Sequence, residues 1–173
     1  MNHGKADKYL SSLRNKEKLR ILFVCLGNIC RSPAAEGVLA DIIGRSDEPD
    51  RWVIDSAGTG NYHIGDLPDH RMRIHARRRG IELTHICRQV RESDFEDFDL
   101  IIPMDASNER NLRNLAPTAE DLEKIVPMAT FVGKAMRYDY IPDPYYEGAE
   151  GFELVLDLLQ DGCANLFELL RGK

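Results

Sequence analysis

The residues best suited to chemistry lie together at the end of one apolar run. Five residues separate Cys25 from Arg31, so a single tight loop can bring a thiol and a guanidinium to its centre. Gly27 and Asn28, which lie between them, are residue types that tolerate the left-handed backbone that such a curl needs. This spacing is a weak signal by itself, so its value depends on the elements around it.

The residues after Arg31 predict that the loop runs into a helix. Pro33 favours the first turn of a helix, and Ser32 is a suitable N-cap. The N–H groups of the loop and of the helix N-terminus then converge on one point, which favours an anion. Cys25 at that point would react as a thiolate. The pattern predicts a phosphate or a similar oxyanion held over a sulfur nucleophile.

The segments on either side are the elements that must position this loop. Residues 19–24 form an apolar run typical of a buried parallel strand. Apolar residues then recur at helical spacing from Ala35 to Ile43, and Gly44 is a suitable helix stop. A strand, a glycine loop and a helix in this order favour a functional site; the alternative is a buried thiol that only ends a core strand.

Strands and helices are predicted to alternate along the rest of the chain. The predicted strands are residues 52–56, 100–104 and 124–130, and the predicted helices are residues 66–79, 107–115 and 152–170. This alternation predicts an α/β fold: a single-domain, doubly wound parallel sheet of about four strands with helices on both faces. The phosphate-binding loop then follows the first strand, at the edge of the sheet where such folds bind ligands.

Residues 1–18 are predicted to form an extension outside the domain, which spans residues 19–173. The extension is polar and basic, and its main apolar side chains are Tyr9, Leu10 and Leu13. A flexible tail is the first expectation. The alternative is a short helix that lies on the domain.

The composition argues against several classes of function. The 173 residues carry a net charge of −6, which argues against nucleic acid as a partner. No apolar run reaches transmembrane length and no signal-peptide core lies near the start, so no membrane association is expected. Four cysteines without a small-domain disulfide framework indicate a reducing compartment, and we expect the cytoplasm.

Four motifs give the chain a resemblance to the low-molecular-weight protein tyrosine phosphatase family. The run from Leu22 to Pro33 resembles the family's phosphate loop. Residues 55–59 (D-S-A-G-T) resemble its second-strand motif, and residues 104–108 (M-D-A-S-N) its M-D-x-S-N segment. Residues 143–146 (D-P-Y-Y) match its acid loop. The motifs occur in the family's order and near its spacing, and the similarity covers nearly the whole chain.

This resemblance implies an activity and its catalytic residues. The activity is hydrolysis of phosphotyrosine in proteins, and of small aryl phosphates, through a phosphocysteine intermediate, without a metal or cofactor. Cys25 is then the nucleophile, and the planar guanidinium of Arg31 matches two phosphate oxygens. Ser32 can donate a hydrogen bond to the sulfur; the alternative is a simple helix cap. Asp143 is the general acid that protonates the leaving oxygen and then activates water; the alternative is an ordinary turn residue. Phosphate and vanadate are expected to inhibit.

Further residues are expected in and behind the site. Those expected to contact the substrate are Leu26, Gly27, Asn28, Ile29, Cys30, Ser32, Tyr62, Tyr145 and Tyr146. By resemblance, Asn28, Ser56 and His85 form a hydrogen-bond network that holds the loop in its strained shape. Asp105 is expected near Arg31 as an orienting carboxylate. The three tyrosines are expected on the rim of the cleft, where they stack against an aryl group.

The other cysteines and four of the histidines have weaker functional predictions. Cys30 is close enough to Cys25 to form a disulfide that protects the nucleophile from irreversible oxidation; the alternative is a small residue that fills the loop. Cys87 and Cys163 are expected in the core. The histidines at positions 3, 63, 70 and 75 show no metal-ligand spacing, and no metal site is predicted.

Two other functions stay open from the sequence. A thiol-dependent arsenate reductase can share this fold and loop, but its relay needs two further cysteines a few residues apart, whereas Cys87 and Cys163 are distant in sequence. The second alternative is a non-catalytic phosphate-binding or phosphocysteine-carrier module on a similar fold. The presence of both Arg31 and Asp143 argues against it.

Overall fold

A three-stranded parallel sheet lies at the centre of the molecule, a computed structural model that describes residues 3–172. Its strands are β1 (Leu19–Cys25), β2 (Trp52–Gly58) and β3 (Leu100–Pro103), in the order β2-β1-β3. β1 is therefore the central strand, and Cys25 at its end is in register with Gly58 of β2. This arrangement delivers Cys25 to the carboxyl edge of the sheet, where parallel α/β folds bind ligands.

Helices cover both faces of the sheet. They are α1 (His3–Leu13), α2 (Arg31–Gly44), α3 (His70–Arg78), α4 (Asp94–Asp97), α5 (Ala106–Leu115), α6 (Ala119–Leu122) and α7 (Ala149–Leu170). Single turns of 3-10 helix lie at Pro49–Arg51, Met128–Thr130 and Lys134–Met136. Within residues 3–172, no helix combines the length and the apolar character that crossing a membrane requires.

The central strand β1 is buried on both faces, which is why its sequence is an almost continuous apolar run. Successive side chains of a strand point to opposite faces. Ile21 and Phe23 accordingly join the main core with α2 and α7. Leu22 and Val24 join a smaller core with residues of α4 and α5. The strand that carries Cys25 is thus held from both sides.

The predicted α/β class, with a parallel sheet between helices, is confirmed, but the sheet has three strands rather than about four. The strand predicted at residues 124–130 is wrong. Only Ile125 pairs there, through a single parallel bridge to Ile101. Pro127 has no N–H to donate to a ladder, and the backbone enters a 3-10 turn directly after it.

The helix that the sequence predicted from residue 66 begins later, at His70, because Asp69 caps it. The Asp69 carboxylate accepts a hydrogen bond from the N–H of Arg71 at 2.8 Å. The N–H of Asp69 itself donates to the carbonyl of Ile29 at 2.8 Å. The start of α3 is therefore tied directly to the loop between β1 and α2.

The extension that was expected to be a flexible tail forms α1, so the structure has the alternative, a short helix on the domain. Leu13 is buried, and the hydroxyl of Tyr9 donates to the carbonyl of Asp99. Arg51 donates to the carbonyl of Leu13 at 3.0 Å and to that of Leu170 at 2.8 Å. One guanidinium thus joins the C-terminal ends of α1 and α7.

Candidate active site

The loop between β1 and α2, residues 26–30, has one left-handed residue. Asn28 has a φ of 58°, as its residue type predicted. Gly27, the other residue type in the loop that tolerates this conformation, is absent from the residues with positive φ. A Cβ at Gly27 would lie 3.1 Å from Cδ2 of His63. Glycine suits this position because a side chain packs closely against it.

The end of β2 forms the seat of this loop. A Cβ on Gly58 would lie 2.7 Å from the carbonyl oxygen of Leu26, so the two backbones touch only because Gly58 has no side chain. The N–H of Gly60 donates to the same carbonyl at 2.8 Å, and the N–H of Thr59 donates to the carbonyl of Cys25 at 2.9 Å. The second-strand motif therefore fixes the outer side of the loop.

The backbone N–H groups of the loop are unused by the protein. Within residues 3–172, those of Gly27, Asn28, Ile29 and Cys30 donate to no acceptor. They are followed by the first turn of α2, in which the N–H groups of Arg31 and Ser32 also lack intrahelical partners. Consecutive free N–H groups next to a helix N-terminus form an anion-binding cradle.

Ser32 was expected to hydrogen-bond the Cys25 sulfur or to cap α2, and it does not cap the helix. The N-cap position is Cys30, and no side chain caps there. The Ser32 hydroxyl instead lies 3.0 Å from Sγ of Cys25 and accepts a hydrogen bond from Nδ2 of Asn28 at 2.8 Å. Because the amide supplies that hydrogen, the hydroxyl keeps its own hydrogen for the sulfur, the nearer of its two acceptors; the Ala57 carbonyl lies at 3.4 Å.

Asn28 is the centre of the network behind the loop, and it is fully buried. Its Nδ2 donates to Ser32 and to Ser56, the latter at 3.0 Å. Its Oδ1 accepts from the N–H of Arg88 at 2.9 Å and lies 2.8 Å from Nε2 of His85. All the hydrogen-bonding capacity of the amide is used, so the strained residue is held from several directions.

Arg31 lies beneath the loop with only 2% of its surface exposed. Its Nη1 donates to Oδ2 of Asp105 at 2.7 Å and to the carbonyl of Ile141 at 2.9 Å. Burial by itself would lower the pKa of Arg31, but the Cys25 sulfur and the Asp105 carboxylate raise the pKa above its ordinary value. Arg31 therefore remains a cation, with Nη2 available to a ligand.

Asp105 has two contacts that share its carboxylate. Oδ2 binds Arg31, and Oδ1 accepts from the N–H of Asn108 at 2.9 Å, which makes Asp105 the N-cap of α5. A single residue of the M-D-x-S-N segment, Asp105, therefore both caps α5 and binds Arg31. The rigid start of a helix is a good platform for orienting a guanidinium.

Asp143 lies across the pocket from the loop. Its Oδ2 is 3.7 Å from Nη2 of Arg31, and its Oδ1 accepts from the N–H of Tyr145 at 3.1 Å. The side chain is 39% exposed. Asp143 therefore combines the turn geometry of the alternative prediction with a position on the wall of the pocket.

One pocket of about 400 Å³ contains these groups. Its lining residues are Cys25, Leu26, Gly27, Ile29, Cys30, Arg31, Tyr62, His63, Asp143, Tyr145 and Tyr146. The rings of Tyr145 and Tyr146 meet edge to face with centroids 5.0 Å apart, and Arg71 lies over the Tyr145 ring at 5.3 Å. Sequence reasoning missed His63 as a lining residue because nothing in its spacing connects it to the loop.

The other thiols near Cys25 are held in the protonated form. Burial, reinforced by the charge of Asp69, raises the pKa of Cys30 far above its ordinary range. Burial also raises the pKa of Cys87 to about 11. Cys87 is more than a core residue, since its Sγ donates to the carbonyl of Asn28 at 2.8 Å. All four cysteines, Cys163 included, are free thiols.

A further group of titratable residues lies behind the network. Nδ1 of His85 is 3.2 Å from Oε1 of Glu36 and 3.4 Å from Oδ1 of Asp55. Burial raises the pKa of Glu36 to about 7. Burial also lowers the pKa of His85, against the opposing charge of Asp55. The sequence pointed to His85 but to neither carboxylate as its partner.

The fold and the site define a class: a parallel α/β domain whose first strand delivers a cysteine into an amide-lined loop with a buried arginine. Residues 20–173 match the model of the family described as low molecular weight phosphotyrosine protein phosphatase. The chain belongs to this family, as the motifs of the sequence predicted.

Individual relatives agree over most of their length. A "putative low molecular weight protein-tyrosine-phosphatase" of Synechocystis is 43% identical over 152 residues, which cover 88% of this chain and 96% of the relative. The crystal structure of a protein tyrosine phosphatase from Entamoeba histolytica superposes with a TM-score of 0.84 at 42% identity, covering 87% of this chain and 96% of that one. YfkJ of Bacillus subtilis gives a TM-score of 0.82 at 39% identity, with coverages of 89% and 95%.

Proposed function

We propose that the protein hydrolyses phosphotyrosine in proteins, and small aryl phosphates, through a phosphocysteine intermediate. The observation that carries this proposal is the set of four consecutive free N–H groups, Gly27 to Cys30, arranged with Arg31 around a buried cysteine. Such a cradle matches the three non-bridging oxygens of a phosphate monoester. Membership in a family of phosphotyrosine phosphatases supports the same conclusion.

Substrate binding depends on groups that are already in position. The loop N–H groups and Nη2 of Arg31 take the phosphate oxygens, and the bonds from Arg31 to Asp105 and to the Ile141 carbonyl fix the plane of the guanidinium. Because Asn28 holds the loop in shape before a ligand arrives, little reorganisation is needed as charge builds in the transition state.

The first chemical step transfers the phosphoryl group to sulfur. The thiolate of Cys25 attacks phosphorus, an S–P bond forms, and the P–O bond to the tyrosyl ring breaks with its electron pair going to oxygen. Asp143 donates its proton to that oxygen from the wall of the pocket. The hydroxyl of Ser32, 3.0 Å from the sulfur, stabilises the thiolate before the attack.

The second step releases phosphate. Asp143, now a carboxylate, takes a proton from a water molecule that attacks phosphorus, and the S–P bond breaks with its electron pair returning to Cys25. The hydrogen bond from Ser32 stabilises the departing thiolate. No redox equivalent enters or leaves, and the cycle returns both residues to their starting forms.

Substrate choice follows from the depth and the rim of the pocket. Cys25 is 3% exposed at its base, whereas Tyr62 and Tyr146 on the rim are 73% and 90% exposed. A phosphate on a long planar side chain can reach the sulfur while its ring lies between the tyrosines. The shorter phosphoserine side chain places the peptide backbone against the rim.

The alternatives fit the site less well. Arsenate reduction needs thiols that relay electrons to the surface, but Cys30, Cys87 and Cys163 are all buried. A non-catalytic phosphate binder has no use for an aspartate facing the guanidinium across the pocket. Dependence on a reduced thiol supports a cytoplasmic location, and the cradle supports inhibition by phosphate and vanadate.

The experiment is a substrate panel run in the presence of a chelator. Phosphotyrosine peptide and p-nitrophenyl phosphate are the expected substrates, with phosphoserine peptide turned over at least about 100-fold more slowly, since each factor of ten is about 1.4 kcal/mol of transition-state binding. Arsenate with thioredoxin is the parallel arm. Arsenate reduction without phosphatase activity, or binding of phosphate without turnover of any ester, would contradict the proposal.

A further inference from the structure

The carbonyl groups of the phosphate loop determine which way its N–H groups point. The peptide units of the loop are trans, so the C=O of one residue and the N–H of the next point in opposite directions in one plane. A carbonyl that is held outside the cradle therefore directs the following N–H into it. The N–H of Gly60 holds the Leu26 carbonyl in this way, and the N–H of Asp69 holds the Ile29 carbonyl, both at 2.8 Å.

The carbonyl of Asn28 is held by a side chain instead. Sγ of Cys87 donates to it at 2.8 Å. Asn28 is the left-handed residue of the loop, and its positive φ turns the next peptide plane relative to its neighbours. Ile29 lines the pocket and Asn28 does not, which agrees with an N–H that points inwards and a carbonyl that points outwards. Reversal of this plane would aim a carbonyl oxygen at a bound anion.

The backbone of Cys87 is fixed on both sides. Its N–H donates to the carbonyl of Asp66, and its carbonyl accepts from the N–H of Gly65, each at 2.9 Å. The next residue, Arg88, donates its N–H to Oδ1 of Asn28, also at 2.9 Å. Two consecutive residues of one segment therefore hold both the backbone and the side chain of Asn28.

The thiol of Cys87 is kept in the form that can donate. Burial, reinforced by the charges of Asp66 and Cys25, raises the pKa of this thiol to about 11. A thiol is a weak donor, but in the part of the chain that the structure describes no other group donates to the Asn28 carbonyl. The plane between Asn28 and Ile29 thus depends on Cys87 for its outer hydrogen bond.

We propose that Cys87 is a positioning residue of the phosphate loop: its S–H holds the Asn28 carbonyl outside the cradle and so directs the N–H of Ile29 at a bound oxyanion. This inference rests on the proposed function, since it takes the cradle to hold phosphoryl oxygens. Cys87 does not line the pocket, so it acts through one peptide plane and touches no reacting atom. The competing role, a small side chain that fills space behind the loop, needs no donor.

A set of substitutions at Cys87 separates the two roles. Cys87→Ala removes the donor, and Cys87→Ser removes the sulfur but keeps an O–H. We expect Cys87→Ala to weaken competitive inhibition by inorganic phosphate and to lower kcat/KM, each by about three- to tenfold, the worth of one neutral hydrogen bond. Cys87→Ser should bind phosphate and react like the unsubstituted protein. Cys163→Ala is the matched control, because it truncates a buried cysteine of α7 outside the pocket, and it should also behave like the unsubstituted protein.

Two further measurements keep the test independent of how well Cys87→Ala folds. Cys87→Val fills the space without a donor and should show the same loss as Cys87→Ala. The amide ¹⁵N chemical shift of Ile29 in the ligand-free protein reports the hydrogen bond to the Asn28 carbonyl, because that bond polarises their shared peptide unit. It should move in Cys87→Val and stay near its original value in Cys87→Ser.

The loss should also be independent of the leaving group. The cradle contacts only the phosphoryl group, so Cys87→Val should lower kcat/KM for phosphotyrosine and for p-nitrophenyl phosphate by the same factor. Equal losses in Cys87→Ser and Cys87→Val, or normal kinetics of Cys87→Val with an unmoved Ile29 shift, would overturn the positioning role and leave the phosphatase activity standing. Absence of both turnover and phosphate binding in the unsubstituted protein would instead overturn the proposed function, and this inference with it.

Discussion

The two walls of the pocket are built in opposite ways. Behind the phosphate loop the wall is buried and hydrogen-bonded, from Asn28 at its centre to Arg31 beneath it. The acid-loop wall is exposed, and Tyr146 at its tip is 90% accessible. One short turn bond from Tyr145 holds Asp143. Stabilising the charge of the transition state requires groups that are fixed in position. Donating a proton to different leaving groups tolerates a more mobile side chain.

The largest effect should come from the fixed wall, at Cys25. Cys25→Ser removes the nucleophile and should lower kcat by more than about 10⁴-fold, as losses of catalytic nucleophiles do. Binding of vanadate or phosphate should survive, because the loop N–H groups and Arg31 remain. Stopped assays and oxyanion titration measure the two quantities. Substantial turnover by this variant would end the phosphocysteine mechanism.

The role of Asp143, on the exposed wall, should appear as a dependence of kcat/KM on the leaving group. Asp143→Asn should lower kcat/KM for phosphotyrosine by about 10²–10⁴-fold, the usual range for a positioned acid. p-Nitrophenyl phosphate should lose much less, since its leaving group needs little help from a proton.

Hydrolysis of the phosphocysteine, which Asp143 also assists, affects kcat but not kcat/KM, so kcat/KM is the quantity to compare. An equal and small loss for both substrates would leave Asp143 as a turn residue only. Asp139→Asn is a suitable control, because it removes a carboxylate from the same exposed segment without touching the pocket.

Substitution of Asn28, in the network behind the phosphate loop, should lower both stability and activity. Asn28→Ala leaves Ser32, Ser56 and the N–H of Arg88 without their partner, and the new residue must still adopt a positive φ. We expect a loss of about 2–4 kcal/mol in the free energy of unfolding, since each buried unsatisfied group costs about 1–3 kcal/mol. Denaturant melts and kcat/KM measure it, and a neutral result would show that the loop does not depend on Asn28.

The smallest effects should come from the tip of the looser wall. Tyr146→Ala should change kcat/KM for phosphotyrosine peptide by less than about threefold, because the ring is almost fully exposed. Tyr145→Ala should cost more, about three- to tenfold, since it also removes the contact with Arg71. The reverse order would mean that Tyr146 moves onto the substrate.

The sequence predicted best what depends on local spacing. Cys25 and Arg31 lie in one short loop between a strand and a helix, so their proximity follows from the chain itself. Of the two roles predicted for Ser32, the structure has the contact with the Cys25 sulfur and not the helix cap, because the sulfur and the Asn28 amide engage its hydroxyl. The sequence offered Gly27 and Asn28 for the left-handed position of the loop, and Asn28 occupies it.

What the sequence could not supply depends on contacts between distant segments. Glu36 and Asp55 carry no local sign of a shared role, since only folding brings them to His85. The one-turn helices α4 and α6 are too short for a periodic pattern to show. The docking of α1 depends on Arg51, a residue with no pattern that connects it to the extension.

The bonds from Arg51 also set an order of events during synthesis. A ribosome makes α1 more than a hundred residues before α7, yet α1 packs on α7 and shares its guanidinium clamp with Leu170. α1 is therefore made long before it can acquire all of its native contacts. A nascent chain stopped before residue 149 lacks the Leu170 carbonyl, so only the completed C-terminal helix can close the Arg51 contact between α1 and α7.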